Sequence, residues 1–312
     1  MRVFLTGATG VIGGRVGPRL VAQGHEVTAV VRSDQKRRIV ESWGGKPVAL
    51  DLFDAGAVNA VVRGQDAVIN LATHMPGSSR AMLFRWNWRE NDRIRRDASA
   101  ILARAASDAG AHRFIQESFA PVYESGGAAW IDETWPVRPA PYNRTVIDAE
   151  RAAADFSERG GLGVVLRFAG FYGPDHMLAE MIAVVRKGWS PLPGAADAYW
   201  SSVSHDDAAA AVVVSLAVAP GTYNVCDDEP LTRREFADVV AASAGAPPPK
   251  LLPAWLAALG GKTMELLSRS QRMSNAKLEA ASDWRPRDRS ARQGIPAAAR
   301  ALADVNRPGA TP

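Results

Sequence analysis

A glycine-rich turn set directly behind an apolar strand constrains this chain more than any other feature. Residues 6–13 read Thr6-Gly7-Ala8-Thr9-Gly10-Val11-Ile12-Gly13; the apolar run Val3-Phe4-Leu5 precedes them and a helical stretch follows. Three glycines at that spacing, in that context, predict a strand, turn and helix that receive the pyrophosphate of a dinucleotide. Gly7 permits a tight turn, Gly10 lets the backbone approach the phosphates without a Cβ in the way, and Gly13 lets the helix pack close to the strand. The N–H groups around Thr9, Val11 and Ile12 and the positive end of the helix then face the phosphates. Pro18 falls inside this helix, which is therefore read as kinked or short.

Short β-branched runs alternate with helical stretches up to about residue 170, the rhythm of a parallel sheet with crossover helices. Strands are expected at 2–6, 26–31, 47–50, 67–71, 113–117 and 163–167. The fold class is α/β, a Rossmann-type doubly wound parallel sheet with a smaller C-terminal substrate lobe. Residues 1–173 form the dinucleotide-binding domain. An apolar helix near 205–218 and a strand at 221–226 return to it. Segments 174–204 and 227–306 build the lobe, with a capping-box spacing from Thr232 to Glu235. Residues 307–312 read as a disordered tail.

The end of the second strand bears on the cofactor. An acidic residue there suits a ribose hydroxyl, whereas this chain has Val31-Arg32-Ser33, followed by Lys36, Arg37 and Arg38. Arginine and lysine suit a 2′-phosphate dianion, so NADP(H) is favoured; Asp34 in the same loop leaves NAD(H) open.

Composition excludes several classes. In 312 residues with a net charge of +4, no stretch approaches the ~18 apolar residues of a membrane span. An apolar strand beginning at residue 3 leaves no room for a signal peptide ahead of it, so a cytoplasmic location is expected. The lone Cys226 reads as a small buried hydrophobe. Arg85, Arg89, Arg93, Arg95 and Arg96 are interleaved with Glu90, Asp92 and Asp97, the pattern of a solvated helix face and not of a nucleic-acid stripe. The expected partner is a small-molecule substrate, with no nucleic acid and no membrane; a homodimer is the assembly to consider.

The chain resembles the extended short-chain dehydrogenase/reductase family, also described as the NAD-dependent epimerase/dehydratase family. The resemblance rests on the turn at 6–13, Asp51-Leu52, Asn70-Leu71-Ala72, Asn91 and the segment Leu166-Arg167-Phe168-Ala169-Gly170-Phe171-Tyr172-Gly173-Pro174. Ser204-His205-Asp206-Asp207, Tyr223-Asn224-Val225 and Trp284-Arg285-Pro286 extend it to the C-terminal part. It implies a cofactor held by Gly7, Thr9, Gly10, Val11, Ile12, Arg32, Asp51, Leu52, Leu71, Ala72, Thr73, Tyr142, Phe168 and Phe171.

The resemblance also implies a catalytic Tyr with a Lys four residues later and a companion Ser or Thr. A free phenol titrates near about 10, so moving its proton at neutral pH needs positive charge nearby. Tyr142 is present, but Val146 stands at the lysine position. Counting back from Tyr123 puts the serine register on Phe119, with Ser118 one residue early. Tyr142, Ser118 and His74 are the catalytic candidates, His74 as a substitute acid at the carboxyl end of the fourth strand. Glu117 reads either as a base or as a salt-bridge partner. His205 with its two aspartates reads as a helix cap, and no metal site is expected. Trp86, Trp88, Trp130, Trp135, Trp189 and Trp200 are candidates for an aromatic wall. The reading is an oxidoreductase acting on a carbonyl or alcohol. The alternatives are a non-redox epimerase, dehydratase or cyclase on the same fold, or an NADP(H)-binding sensor without turnover.

Overall fold

The computed structural model describes residues 1–76, 81, 84–141, 143–251 and 261–305. Seven strands form the central sheet: β1 Arg2–Thr6, β2 Glu26–Val31, β3 Lys46–Ala49, β4 Ala67–Asn70, β5 Arg113–Phe119, β6 Leu162–Phe168 and β7 Gly221–Val225. Their order is β7-β6-β5-β4-β1-β2-β3, all parallel. β2 and β3 lie on one side of β1 and the other four strands on the other. The order therefore reverses between β1 and β4, and the crevice beyond their carboxyl ends is where such sheets take ligands. The strand expected at 221–226 completes this sheet as its seventh member.

The α-helices of eight residues or more among the described residues are, in chain order, α1 Gly13–Ala22, α2 Asp34–Ser42, α3 Ala55–Val62, α4 Ser99–Asp108, α5 Val146–Glu158, α6 His176–Arg186, α7 His205–Val214, α8 Arg233–Ser243 and α9 Ala291–Val305. Alternation along each strand divides the core in two. Val3, Leu5, Ile69, Ile115 and Leu166 pack with Val16 and Leu20 of α1 and Val212 of α7. Phe4, Val68, Phe114 and Val165 pack on the other face with Val58, Leu102 and Phe156. Pro18 does not end α1, which continues to Ala22. Buried Val16, Gly17 and Leu20 hold the helix on both sides of the ring.

A third core belongs to the lobe, where Tyr172, Leu178, Val185, Leu231, Phe236 and Ile295 join α6, α8 and α9. Thr232 and Glu235 form the anticipated capping box at the start of α8. The Arg-rich segment departs from a purely solvated face. It runs as a helical turn, Arg89–Arg93, through a π-helical turn at Ile94–Ala98 into α4. Arg89, Arg93 and Arg96 are exposed, but Arg95 is buried against Glu117. Charge spacing alone could not reveal this, because Arg95 is paired across the fold and not along its helix. Cys226 is buried and free, as anticipated. No helix of the described residues is long and apolar enough to cross a membrane. The tail assigned to 307–312 lies outside the described residues.

The C-terminal landmarks meet around one carboxylate. Asp207, 4% exposed, accepts from the Ser204 hydroxyl at 2.7 Å and from the N–H groups of Arg287 at 2.8 Å and Asp288 at 3.1 Å, while its carbonyl accepts from the Trp284 indole at 3.1 Å. This cluster ties the 284–288 loop to α7. Asp206 in turn holds α7 to α1 through Arg19 at 2.6 Å and Arg15 at 3.6 Å. An Asp207→Ala protein leaves the Arg287 and Asp288 N–H groups and the buried Ser204 hydroxyl without this acceptor and is expected to lose about 3 kcal/mol of stability, measured by urea unfolding.

Candidate cofactor and substrate site

Backbone contact fixes the turn after β1. Gly7 has φ +67°, and a Cβ there would lie 2.3 Å from the Leu71 carbonyl oxygen; a Cβ on Gly13 would lie 2.1 Å from the Gly7 oxygen. Both positions exclude side chains for the sake of the fold. Gly10 differs, since its Cβ would meet only the Gly7 oxygen, at 3.2 Å. Glycine at position 10 leaves open space on the crevice side, and no acceptor among the described residues takes the N–H of Thr9, Val11 or Ile12. Unused donors at a helix N-terminus, with a cradle that a Cβ would narrow, fit a pyrophosphate.

The carboxyl ends of the neighbouring strands are pinned by Asn70. Its Oδ1 accepts from the Thr6 hydroxyl at 2.6 Å, and its Nδ2 donates to Gln116 Oε1 at 2.9 Å and Ser99 Oγ at 3.1 Å. Leu71 is buried behind this network, with Ala72 and Thr73 half-buried at the crevice. Asn91, fully buried, accepts the His74 N–H at 2.9 Å. That bond shapes the chain after β4 and leaves the His74 side chain exposed. Asp51 Oδ1 accepts the Phe53 N–H at 3.0 Å, making a local turn beside half-buried Leu52. At the end of β2 the Ser33 hydroxyl caps α2 by accepting the Lys36 N–H, and Asp34 lies in the first helical turn, where the helix dipole favours it. Arg32 is exposed, and neither it nor Lys36, Arg37 or Arg38 pairs with a carboxylate among the described residues.

The catalytic candidates fare unevenly. Ser118 is 1% exposed and its hydroxyl donates to Glu150 Oε1. Glu150 is clamped by Arg167 at 2.8 and 2.6 Å, and Arg167 lies 4.8 Å from the Tyr123 ring, whose hydroxyl donates to Asn224 at 2.7 Å. Burial pushes the Tyr123 phenol up to about 12. Ser118 thus belongs to a buried polar network and is not offered to a substrate, because its strand position faces α5. Phe119, one residue on, is half-buried against Trp88, Ala140 and Leu266. Val146 is fully buried at the start of α5, and Arg144 beside it is exposed. Tyr142 lies outside the described residues. Glu117 is the partner of Arg95 at 3.2 Å. Of the two phenylalanines assigned to the cofactor, Phe168 is 1% exposed and belongs to the core, whereas Phe171 is 38% exposed.

The tryptophans do not form one wall. Trp130 and Trp189 are exposed on separate segments, one paired with Arg272 and the other with Lys250, Trp135 packs on the main core, and Trp200 packs in the lobe. Only Trp86, stacked on Phe84 at 4.7 Å, and buried Trp88 share the segment beside Phe119. Neither the role of Glu150 nor the packing of Phe119 against Trp88, Ala140 and Leu266 follows from the linear sequence. Glu150 had a signal in hindsight, an acid on the helix that packs over β6, but its pairing with Arg167 needs the tertiary fold.

His205 is buried at the start of α7, and no group of three metal-binding side chains occurs among the described residues. Its Nε2 lies 3.4 Å from Asp175 Oδ2, and Asp175 Oδ1 caps α6 through the Leu178 N–H. Burial lowers the imidazole from its ordinary 6.5 to about 4; Asp175 and Asp206 oppose that shift and Arg15 adds to it. The unfolded chain therefore binds the extra proton between about 6.5 and about 4, so this contribution to stability is present above pH 6.5 and is lost as pH falls through that window. Melting temperature is expected to fall from pH 7 to pH 5, with a shallower fall in His205→Gln.

These features define a dinucleotide-binding α/β protein with its ligand crevice at the β1–β4 switch point. A profile of the NAD-dependent epimerase/dehydratase family matches residues 3–226. The chain belongs to that family, the extended short-chain dehydrogenase/reductases. It is 31% identical over 314 residues to a 3-diazoavenalumate denitrifying reductase from a Streptomyces species, across 95% of this chain and 99% of that one. A UDP-glucose 4-epimerase of Thermus thermophilus in complex with NAD superposes with a TM-score of 0.77 at 25% identity, covering all of both chains. The human epimerase family protein SDR39U1 with NADPH shares the fold, with a TM-score of 0.76 at 22% identity over 96% of this chain and 99% of its own. Relatives named for both redox and non-redox chemistry support an enzyme with a nicotinamide cofactor.

The glycine geometry separates fold from ligand. Gly13→Ala is expected to destabilise the protein, because helix and turn must move apart by more than an ångström. Gly10→Ala is expected to leave the melting temperature nearly unchanged while weakening dinucleotide binding by about tenfold or more, as read by fluorescence titration.

Proposed function

We propose that this chain is a cytoplasmic NADP(H)-dependent reductase that delivers hydride to a small, flat, electron-poor acceptor whose reduction makes little demand on a proton relay. The observation that carries the reading is the pair of departures at the catalytic register: Val146 is fully buried where a lysine would stand, and Ser118 is bound to Glu150. A carbonyl that gains hydride becomes an alkoxide and calls for a proton from an activated acid. An aryl diazonium makes no such demand, because Ar–N2⁺ + NADPH gives Ar–H + N2 + NADP⁺ and no oxyanion forms. The relative that spans nearly this whole chain is named for a denitrifying reduction of a diazo compound, an acceptor of that kind.

In this reading the turn at Gly7, Gly10 and Gly13 holds the pyrophosphate, and Arg32, aided by the cations of α2, receives the 2′-phosphate. Phe119 and Phe171 give the acceptor apolar surface in place of a hydroxyl donor. Tyr142 serves as the proton donor for any acceptor that does leave an oxygen anion.

The test supplies NADPH deuterated at C4 with 4-hydroxybenzenediazonium or with a panel of ketones. Protein-free controls and the Gly10→Ala variant set the background. Deuterium in the arene, N2 release and loss of 340 nm absorbance with the diazonium are expected, with ketones much slower. Tyr142→Phe is expected to spare the diazonium reaction. Turnover of ketones alone would overturn the assigned acceptor; product formed with no net change in nicotinamide absorbance would point to isomerase chemistry; tight NADPH binding without any turnover would point to a sensor. Arg32→Glu is expected to lower the preference for NADPH over NADH by about tenfold or more.

A further inference from the structure

The phosphate turn contains one peptide unit that the helix ladder passes over. Where the chain enters α1, the Gly14 N–H donates to the Gly10 carbonyl at 2.9 Å, and the N–H groups of Arg15 and Val16 both go to the Ile12 carbonyl, at 2.9 and 3.0 Å. The Val11 carbonyl between them accepts from no backbone N–H among the described residues. In place of that bond the Arg15 side chain reaches back one turn, and its Nη1 donates to the Val11 oxygen at 2.8 Å. A second element steadies the guanidinium. Its Nε lies 3.6 Å from Asp206 Oδ1 at the start of α7, and the same oxygen accepts from Arg19 Nη2 at 2.6 Å.

Peptide planarity carries the effect of this bond to the other side of the unit. The Val11 carbonyl and the Ile12 N–H belong to one trans peptide and point in opposite directions. A carbonyl drawn along the helix toward Arg15 therefore sends the Ile12 N–H out of the N-terminal end, where no protein acceptor meets it. The unit has a soft approach, since Gly10 precedes Val11 and the Val11 side chain is exposed. Freed from Arg15, the plane can turn, and a carbonyl oxygen turned toward a phosphate repels it where an N–H would bind.

We propose that Arg15 is a positioning residue for the dinucleotide: it holds the Val11–Ile12 peptide with its N–H toward the pyrophosphate and does not itself touch the cofactor. The assignment rests on the reading of the turn as the pyrophosphate site. Through Asp206 the same guanidinium ties that turn to α7, so the donor is aimed by contacts from two helices.

The test titrates NADPH and NADH by fluorescence into wild type, Arg15→Met and Arg15→Lys at several salt concentrations, with melting temperatures of the free proteins measured alongside. Methionine keeps an apolar stem and removes the donor. Arg15→Met is expected to weaken NADPH binding about tenfold, the range of one hydrogen bond to a charged group. Its salt dependence is expected to match wild type, because no ion pair with the cofactor is lost. Arg15→Lys keeps a donor and is expected to recover most of the affinity. Amide spectra check the geometry directly: NADPH is expected to shift the Ile12 amide proton downfield in wild type and much less in Arg15→Met.

An Arg15→Met protein that melts earlier yet binds NADPH as wild type does would overturn the proposal and mark the bond as a helix cap alone. Lost affinity together with a flatter salt dependence would also overturn it, since Arg15 would then be a direct phosphate ligand. Should the methionine variant not fold, the Ile12 amide of wild type and Arg15→Lys decides, and an amide unmoved by NADPH sinks the idea. Wild type that binds neither dinucleotide removes the reading of the turn and the role of Arg15 with it. Tight binding by wild type and Arg15→Met alike leaves the turn standing and removes Arg15 alone.

Discussion

The close approach of α1 to the β1 and β4 termini is the constraint on which the remaining architecture depends. Gly7 lies against the Leu71 carbonyl and Gly13 against Gly7 itself, with no room for a Cβ at either. That contact sets the helix N-terminus over the point where strand order reverses, so its unused N–H groups face the crevice. The Asn70 network then binds β1, β4 and β5 together at the same level. A ligand site made of backbone donors stays in register only if the strand ends beneath it cannot slide.

A second buried network explains why the catalytic register is unusual. Glu150 accepts from Ser118 and is held by Arg167, while Tyr123 and Asn224 continue the chain of bonds toward β7. A carboxylate this enclosed needs its charged partner, since removing one member of such a pair leaves the other unpaired in a poor solvent for ions. The serine is therefore committed to α5 and β6 and is not available at the crevice. Phe119 presents a ring where a hydroxyl donor would act, and Val146 adds no charge. Neither position carries the hydroxyl or the charge that the family pattern leads one to expect there.

The strands, their parallel order and the phosphate turn were legible in the sequence because they follow from local periodicity and glycine spacing. Arg32 was equally legible, being exposed at the end of a recognisable strand. Less accessible were the directions of individual side chains. Ser118 and Phe119 differ by one position, and a strand sends neighbours to opposite faces, so the motif count identified the problem but not its outcome. Phe168 and Phe171 sit in one motif, yet only Phe171 reaches the surface. The tryptophans looked alike in a list of residues and are dispersed by the fold. Arg95 looked solvated among its charged neighbours and is buried against Glu117.

By itself the sequence determined the family, the sheet, the nucleotide turn and the absence of a lysine at position 146, since each is a matter of which residue follows which. Tertiary structure decided which polar groups remain free for chemistry. Whether Ser118, Glu117, Ser33 or Asp207 can meet a ligand depends on partners drawn from distant or helix-forming segments, and those partners are fixed by packing. The same packing buries Arg233 with no carboxylate paired to it among the described residues, a fact invisible in a chain that carries 33 of them. A buried charge is compensated or stranded according to three-dimensional distance, and that distance is what the linear order does not contain.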